Sequence, residues 1–400
     1  MRLRVAPFIW LAALGACAKA PPPPPAPRPA PDSAPPPAPP APPAPLPSLE
    51  PPPPPRASVS LTFVGDINLG TLTLPEGVPP DEGRGLFEGA RPALQADLVV
   101  GNFEGVLADS GTTYKCGPEG RRVPEPDTVA AKPPPRRPTL PRRPEPPRLC
   151  YAFLTPTALA PRLVEAGFTH LNLANNHAND FGADGRATTE RLLDSLGVRT
   201  YGPLGSIAVD TVRRGDSLTM VGLVGFATYP HSYDLLDIQR SAAVVDSVRD
   251  LVDLLVITFH GGAEGARALH VPEAAESLGR EPRGDLRAWA RAVIDAGADA
   301  VVGHGPHVPR GIEYYRGKPI AYSLGNFLTY RGFNLAGPLG LTGVLRLEAA
   351  PDGRWARARF APMAQLPGRG PAPDPTGAAL ELVRTLSRED FGTAAARVGE

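Results

Sequence analysis

Five short stretches of this 400-residue chain end an apolar run in side chains that can bind a cation or move a proton. They read GDIN (65–68), GNFE (101–104), ANNH (174–177), FHGGAE (259–264) and GHGPH (303–307). With Asp180 three residues past ANNH, they bring Asp66, Asn68, Asn102, Glu104, Asn175, Asn176, His177, His260, Glu264, His304 and His307, including four of the chain's seven histidines. Imidazoles, carboxylates and amide oxygens without thiolates are the donor set of a divalent metal such as Mn, Zn or Fe. Each stretch alone has a plainer reading. Gly-Asp after a strand is an ordinary turn, Asn175 can cap the following helix, Glu104 can be a solvated carboxylate, and His304 can be a core histidine bonded to a carbonyl. The weight lies in five tips repeating one pattern.

Elements that place such tips together are strands. SVSLTFVGD (58–66), ADLVVGNFE (96–104), THLNLANNH (169–177), DLLVITFHGG (253–262) and ADAVVGHGPH (298–307) are apolar runs closed by polar ends. Period two puts Asp66 with Asn68, and Asn102 with Glu104, on one face of their strands. Helical spacing is read at 155–168, 184–196, 285–296 and 376–388, with a weaker helix from 389. Hairpins are expected about Arg213–Asp216 and about Asp352-Gly353, and PIAYSLGNFL (319–328) reads as a late strand and turn containing Asn326. The order predicts an α/β layered fold with strands buried on both faces. In such folds sites assemble beyond the carboxyl ends of the strands.

Composition bounds the rest. Fifty-four prolines are too many for one compact fold of this length. Residues 1–17 carry Arg2 and Arg4, a short apolar segment and Leu14-Gly15-Ala16-Cys17, which reads as a lipoprotein signal lipidated at Cys17. The alternative is ordinary signal cleavage beside an unrelated cysteine. Residues 18–56 are a Pro/Ala-rich, polyproline-like linker, and 57–400 form the folded domain, interrupted by a basic Pro/Arg-rich insert at 111–149. Cys116 and Cys150 bracket that insert and are expected to pair in an exported protein. With 41 basic and 41 acidic residues the chain is neutral, which argues against nucleic-acid binding.

The series GDINLG, NFEG, AGFTHLNLANNHANDFG, FHGGAE and GHGPHVPRGIEYYRGKPIAYSLGNF resembles the CapA family of poly-γ-glutamate capsule synthesis proteins over about 57–330. That family in turn resembles calcineurin-like metallophosphoesterases, which implies a layered β-sandwich flanked by helices with one or two divalent metals at the strand ends. By that resemblance Asp66, Glu104, Asn176, His260, His304 and His307 are metal ligands. His177 is the catalytic acid with Asp180 orienting it, and Asn68, Asn102, Glu264 and Asn326 contact substrate. The chain departs from the phosphoesterase pattern at Asn68, where a histidine is usual. Ala178 replaces a carboxylate beside the Asn-His pair, and the last histidines are spaced by three rather than two. Two functions stay open on the sequence. One is a metal-dependent phosphoester or amide hydrolase. The other is a non-catalytic, envelope-anchored subunit that binds an anionic polymer for a membrane synthase.

Overall fold

The β-branched and aromatic run VSLTFVGDIN forms the strand Val59–Asn68, whose residues are buried at nearly every position. The computed structural model describes residues 55–113, 115 and 151–398; the signal, the linker up to residue 54, both insert cysteines and most of the insert lie outside them. Val59–Asn68 is central in an eight-stranded sheet, parallel to Leu98–Phe103 and antiparallel to Leu341–Ala349. His170–Asn172 and Arg199–Tyr201 extend that sheet on one side, and Trp355–Leu366 and Gly370–Pro373 on the other. A second, seven-stranded sheet is built about Ser217–Ala227, Leu254–His260 and Ala300–His304, which are mutually parallel.

The two sheets pack face to face. Leu61, Phe63, Leu98 and Val100 of the first meet Val221, Leu223, Val256 and Val302 of the second in one buried layer. On the outer face of the first sheet, Val64, Ile67, Val99 and Leu171 bury against Leu163 and Leu193 of the helices Pro161–Ala166 and Gly182–Ser195. On the outer face of the second, Phe226, Ile257, Phe259 and Val301 bury against Val245, Val248, Trp289 and Val293 of the helices Ile238–Val248 and Leu286–Asp295. The fold is therefore α/β, a layered β-sandwich flanked by helices, with strands apolar on both faces because both faces are covered.

Several local readings need correction. The helix expected over 155–168 is a 3₁₀ turn at Thr157–Leu159 followed by Pro161–Ala166, because Pro161 opens a new first turn. The helix Ala378–Phe391 runs unbroken through 389 and then gives way to a 3₁₀ turn at Gly392–Ala394. The stretch at 319–328 is two strands in different sheets. Lys318–Ala321 pairs in the second and Asn326–Thr329 in the first, so the chain crosses between layers at 322–325. Among the described residues no helix is long and apolar enough to cross a membrane.

Candidate metal centre

Strand register brings the polar tips to one end of the sandwich. Asp66 sits level with Asn102 on one side and Asn326 on the other, and His260 sits opposite His304 in the second sheet. Gly65 permits the first of these meetings, because a Cβ there would lie 1.8 Å from the Gly325 carbonyl oxygen. The Asp66 amide instead donates to that oxygen at 2.9 Å.

On the first sheet, Asn102 Nδ2 donates to Asp66 Oδ1 at 2.9 Å, while Asn102 Oδ1 accepts from Asn172 (3.0 Å) and Asn175 (3.1 Å). Asn68 donates to the Glu104 carbonyl at 2.7 Å and accepts from the Gly70 amide at 3.0 Å. Asn68 and Asn102 are fully buried, so in place of the substrate contact expected of them they fix Asp66 and the backbone at Glu104. Asn175 Oδ1 caps the turn, accepting from the amides of His177 (3.0 Å) and Ala178 (2.9 Å).

The second sheet and its loops add the histidines. His307 Nδ1 lies 3.0 Å from Asp66 Oδ2 and 2.9 Å from Asn326 Oδ1, and its Nε2 is 3.9 Å from Glu264 Oε2. His304 Nδ1 is 3.5 Å from Asp66 Oδ1, and His260 Nδ1 is 3.2 Å from Glu104 Oε1. His307 adopts a φ of 61°, a left-handed conformation uncommon for a residue other than glycine and frequent at functional sites. Ligand atoms of Asp66, Glu104 and His307 lie within 4.8 Å of one another. Such a trio suits a divalent metal.

Its electrostatics are unbalanced without one. Burial pushes the Asp66 carboxyl up, but hydrogen bonds and charge from His304 and His307 outweigh it and hold the group well below the usual range. Glu104 is driven well above its ordinary value, chiefly by burial and also by the charges of Asp66 and Glu264. Burial lowers His307, yet the carboxylates of Glu104, Asp66 and Glu264 hold it up to about 10. A charged imidazole thus stands among three carboxyl groups. Buried donor atoms without a hydrogen-bond partner occur on the same strand tips: both oxygens of Glu104, Asn176 Oδ1, His260 Nε2 and His304 Nδ1. Atoms of that kind are costly to bury alone and are of the types that ligate a divalent cation, so the donor set fits a metal.

Beside this centre His177 Nδ1 meets Asp180 Oδ2 at 2.8 Å, and Asp180 also binds the ammonium of Lys115. Burial lowers His177 to about 4, whereas Asp180, despite its own burial, is held low by its contacts with His177, which hydrogen-bonds to it, and with the Lys115 ammonium. The ring is therefore neutral at pH 7, its Nδ1–H committed to Asp180. A cleft of about 710 Å³ opens here, lined by Asn176, His177, Glu264, His307 and Asn326.

Sequence reasoning missed several residues in and behind the cleft wall. Arg283, fully buried, donates to the Gly262 carbonyl and to Tyr229 Oη, lies 3.2 Å from Glu281 and sets Nη2 2.9 Å from Glu264 Oε1. Nothing in EPRG marks it. Phe153 and Phe333 wall the cleft without a local motif, and Lys115 falls inside a segment read as a loop.

The family model described as bacterial capsule synthesis protein PGA_cap matches residues 139–331. Over those residues, just under half of its length, the chain is similar to that capsule-synthesis family. It is 32% identical over 186 residues to the capsule biosynthesis protein CapA of Bacillus anthracis, covering 42% of each chain. It is 28% identical over 294 residues to the PGA biosynthesis protein CapA of Bacillus subtilis (strain 168), covering 69% of this chain and 64% of that one. It therefore spans less than two thirds of the length of either relative. A 5′-nucleotidase precursor from Thermus thermophilus overlaps 83% of this chain and 59% of its own, at 14% identity and a TM-score of 0.40.

Proposed function

We propose that this protein is a divalent-metal-dependent hydrolase of a phosphoester or amide bond, acting in the synthesis or export of a poly-γ-glutamate-type capsule polymer. The observation that carries this reading is the meeting of Asp66, Glu104 and His307 ligand atoms within 4.8 Å of one another, together with the buried, unpartnered donor atoms on Glu104, Asn176, His260 and His304. Those six residues would hold one or two ions of Mn, Zn or Fe, with Glu104 placed to touch both His260 and the Asp66–His307 pair. When bound, such an ion supplies Lewis acidity and lowers the pKa of water.

The chain's own residues do the remainder. Asn102 aims Asp66, and Asn326 holds the His307 ring. Asp180 keeps the Nδ1 proton of His177, so Nε2 faces substrate as an acceptor; an anion bound nearby raises the ring's pKa and equips it to protonate a leaving group. Lipidation at Cys17 and a place in the cell envelope belong to the same reading, as does a synthase partner. Elemental analysis of the purified full chain should find one or two Mn, Zn or Fe per molecule. His177→Ala should then cut turnover of a phosphoester or γ-glutamyl amide about 100-fold or more while keeping the metal. A metal-loaded protein inert on every such bond would instead leave a polymer-binding accessory subunit.

A further inference from the structure

Between the two histidines that flank the centre runs an unbroken line of aromatic rings. Phe153 lies against His177 with centroids 4.3 Å apart, Phe333 lies 5.3 Å from Phe153 at an interplanar angle of 31°, and Phe333 meets His307 edge-on at 5.5 Å. Tyr151, 49% exposed, and Leu278, 36% exposed, continue the same wall outward. Large apolar side chains left open to water inside a cleft are unusual unless a ligand covers them.

The charges of the wall point the same way. Among the described residues Lys115 is the one Lys or Arg side chain that lines the cleft, and it is engaged by Asp180 and the Asn176 carbonyl. Arg283 lies behind the wall, tied to Glu264, Glu281 and Tyr229. Glu264 and Glu281 themselves face the cleft. A linear chain bearing a carboxylate on every residue would meet two acids and no uncommitted guanidinium there. One anionic group, at the metal, is all the described wall accommodates.

Resting on the hydrolytic reading above, we infer that the substrate of this centre carries a ring with an apolar face, a sugar or an aryl group, next to the bond to be cut, and that the partly exposed Phe333, backed by the buried Phe153, binds that face. An aromatic wall binds an apolar ring face by area and by ring quadrupole, which for one ring amounts to about tenfold in affinity or more. The ring then fixes the leaving-group oxygen near His177, because Phe153 packs on that imidazole.

The test is equilibrium binding by calorimetry to the Mn-loaded full chain, using three phosphonates that cannot be hydrolysed: phenyl, hexosyl and methyl. The ring-bearing ligands should bind at least tenfold tighter than methylphosphonate, and Phe333→Ala should erase most of that preference while the melting temperature and bound Mn stay unchanged. A phenyl preference over hexosyl, or the reverse, names the kind of ring. Equal affinities for all three, or a preference that survives in both Phe333→Ala and Phe153→Leu, would overturn the inference and leave the hydrolytic reading intact. Failure of every phosphonate to bind would overturn the inference and the phosphoester form of the hydrolytic reading. Ring-dependent binding by a protein that cuts neither the corresponding esters nor the corresponding amides would remove the hydrolytic reading and leave the ring subsite standing.

Discussion

Glu104 and Glu276 are both buried glutamates beside the cleft, with relative exposures of 0% and 9%, and they live in opposite circumstances. Glu276 receives both arms of the buried Arg310 guanidinium at 2.9 and 2.7 Å, and a third bond from the Ala263 amide at 2.9 Å. Arg310 completes its valence on the carbonyls of Ala268 and Ala263. Glu104 has no hydrogen bond on either oxygen; His260 Nδ1 comes within 3.2 Å of Oε1 without the geometry of one. Residue type and burial are alike, so only the partner set tells support from function. The satisfied cluster braces the loop that carries Glu264, and the unsatisfied one leaves both Glu104 oxygens without a protein partner, as the proposed metal reading requires.

The largest way to break this contrast is to strip the satisfied member. Glu276→Ala leaves Arg310 buried and unpaired and is expected to cost about 3–5 kcal/mol in denaturant unfolding. A loss below about 1 kcal/mol would mean the pair does not brace the loop. Acid makes a related test on buried histidines that stay neutral. His170 is lowered to about 4, chiefly by burial, as are His177 and His231. A depressed folded pKa gives stability that is full above the unfolded value near 6.5 and is lost as pH falls through 4. His170 alone should contribute about 3 kcal/mol to that loss. His170→Asn should flatten the stability curve between pH 6.5 and 4, and an unchanged slope would show that the ring is not desolvated as described.

The strand tips were legible because two independent patterns met in them, an apolar run of strand length and a polar end. That is why Asp66, Glu104, His260 and His304 could be named from sequence as candidates and why the α/β layering could be read. The roles of Asn68 and Asn102 were not legible, since alternation places a side chain on a face but says nothing of what lies opposite. Their amides turn out to be spent on Glu104, Gly70, Asp66, Asn172 and Asn175. Arg283 and Phe333 were invisible for a related reason. Each matters through partners far away in the chain, such as Glu264 for Arg283 and Phe153 for Phe333, and no local spacing records that. The crossing of the chain between sheets at 322–325 was hidden because one apolar run serves two layers.

A smaller effect probes the amide scaffold that separates the two kinds of cluster. Asn102→Ala removes the acceptor shared by Asn172 and Asn175 and the donor to Asp66. Each amide keeps a second partner, Ala174 for Asn172 and Phe103 for Asn175, so the expected cost is about 1–3 kcal/mol rather than collapse. Metal affinity should fall about 10–100-fold with it, the loss typical when the group that orients a ligand is removed. Retention of full affinity would place the aim of Asp66 elsewhere.

The smallest effect on stability is the sharpest test, because here the contrast predicts opposite signs. Glu104→Gln keeps shape and removes a carboxyl whose folded pKa is raised. A raised carboxyl favours folding only below its unfolded value, and its contribution is lost as pH climbs, so at pH 7 the metal-free glutamine variant should be as stable as the parent or more so. The same substitution should weaken metal binding at least about 100-fold, since the anionic ligand beside His260 and His307 is gone. In the parent, affinity should rise with pH, because Glu104, raised well above its ordinary value, and His307, held near 10, must release protons to ligate. In Glu104→Gln the slope should be shallower by about one proton. Melting curves with and without Mn across pH 6–9 report both quantities in one experiment. A metal-free variant less stable than the parent by more than about 1 kcal/mol would make Glu104 a second Glu276, a structural acid whose partner had been overlooked.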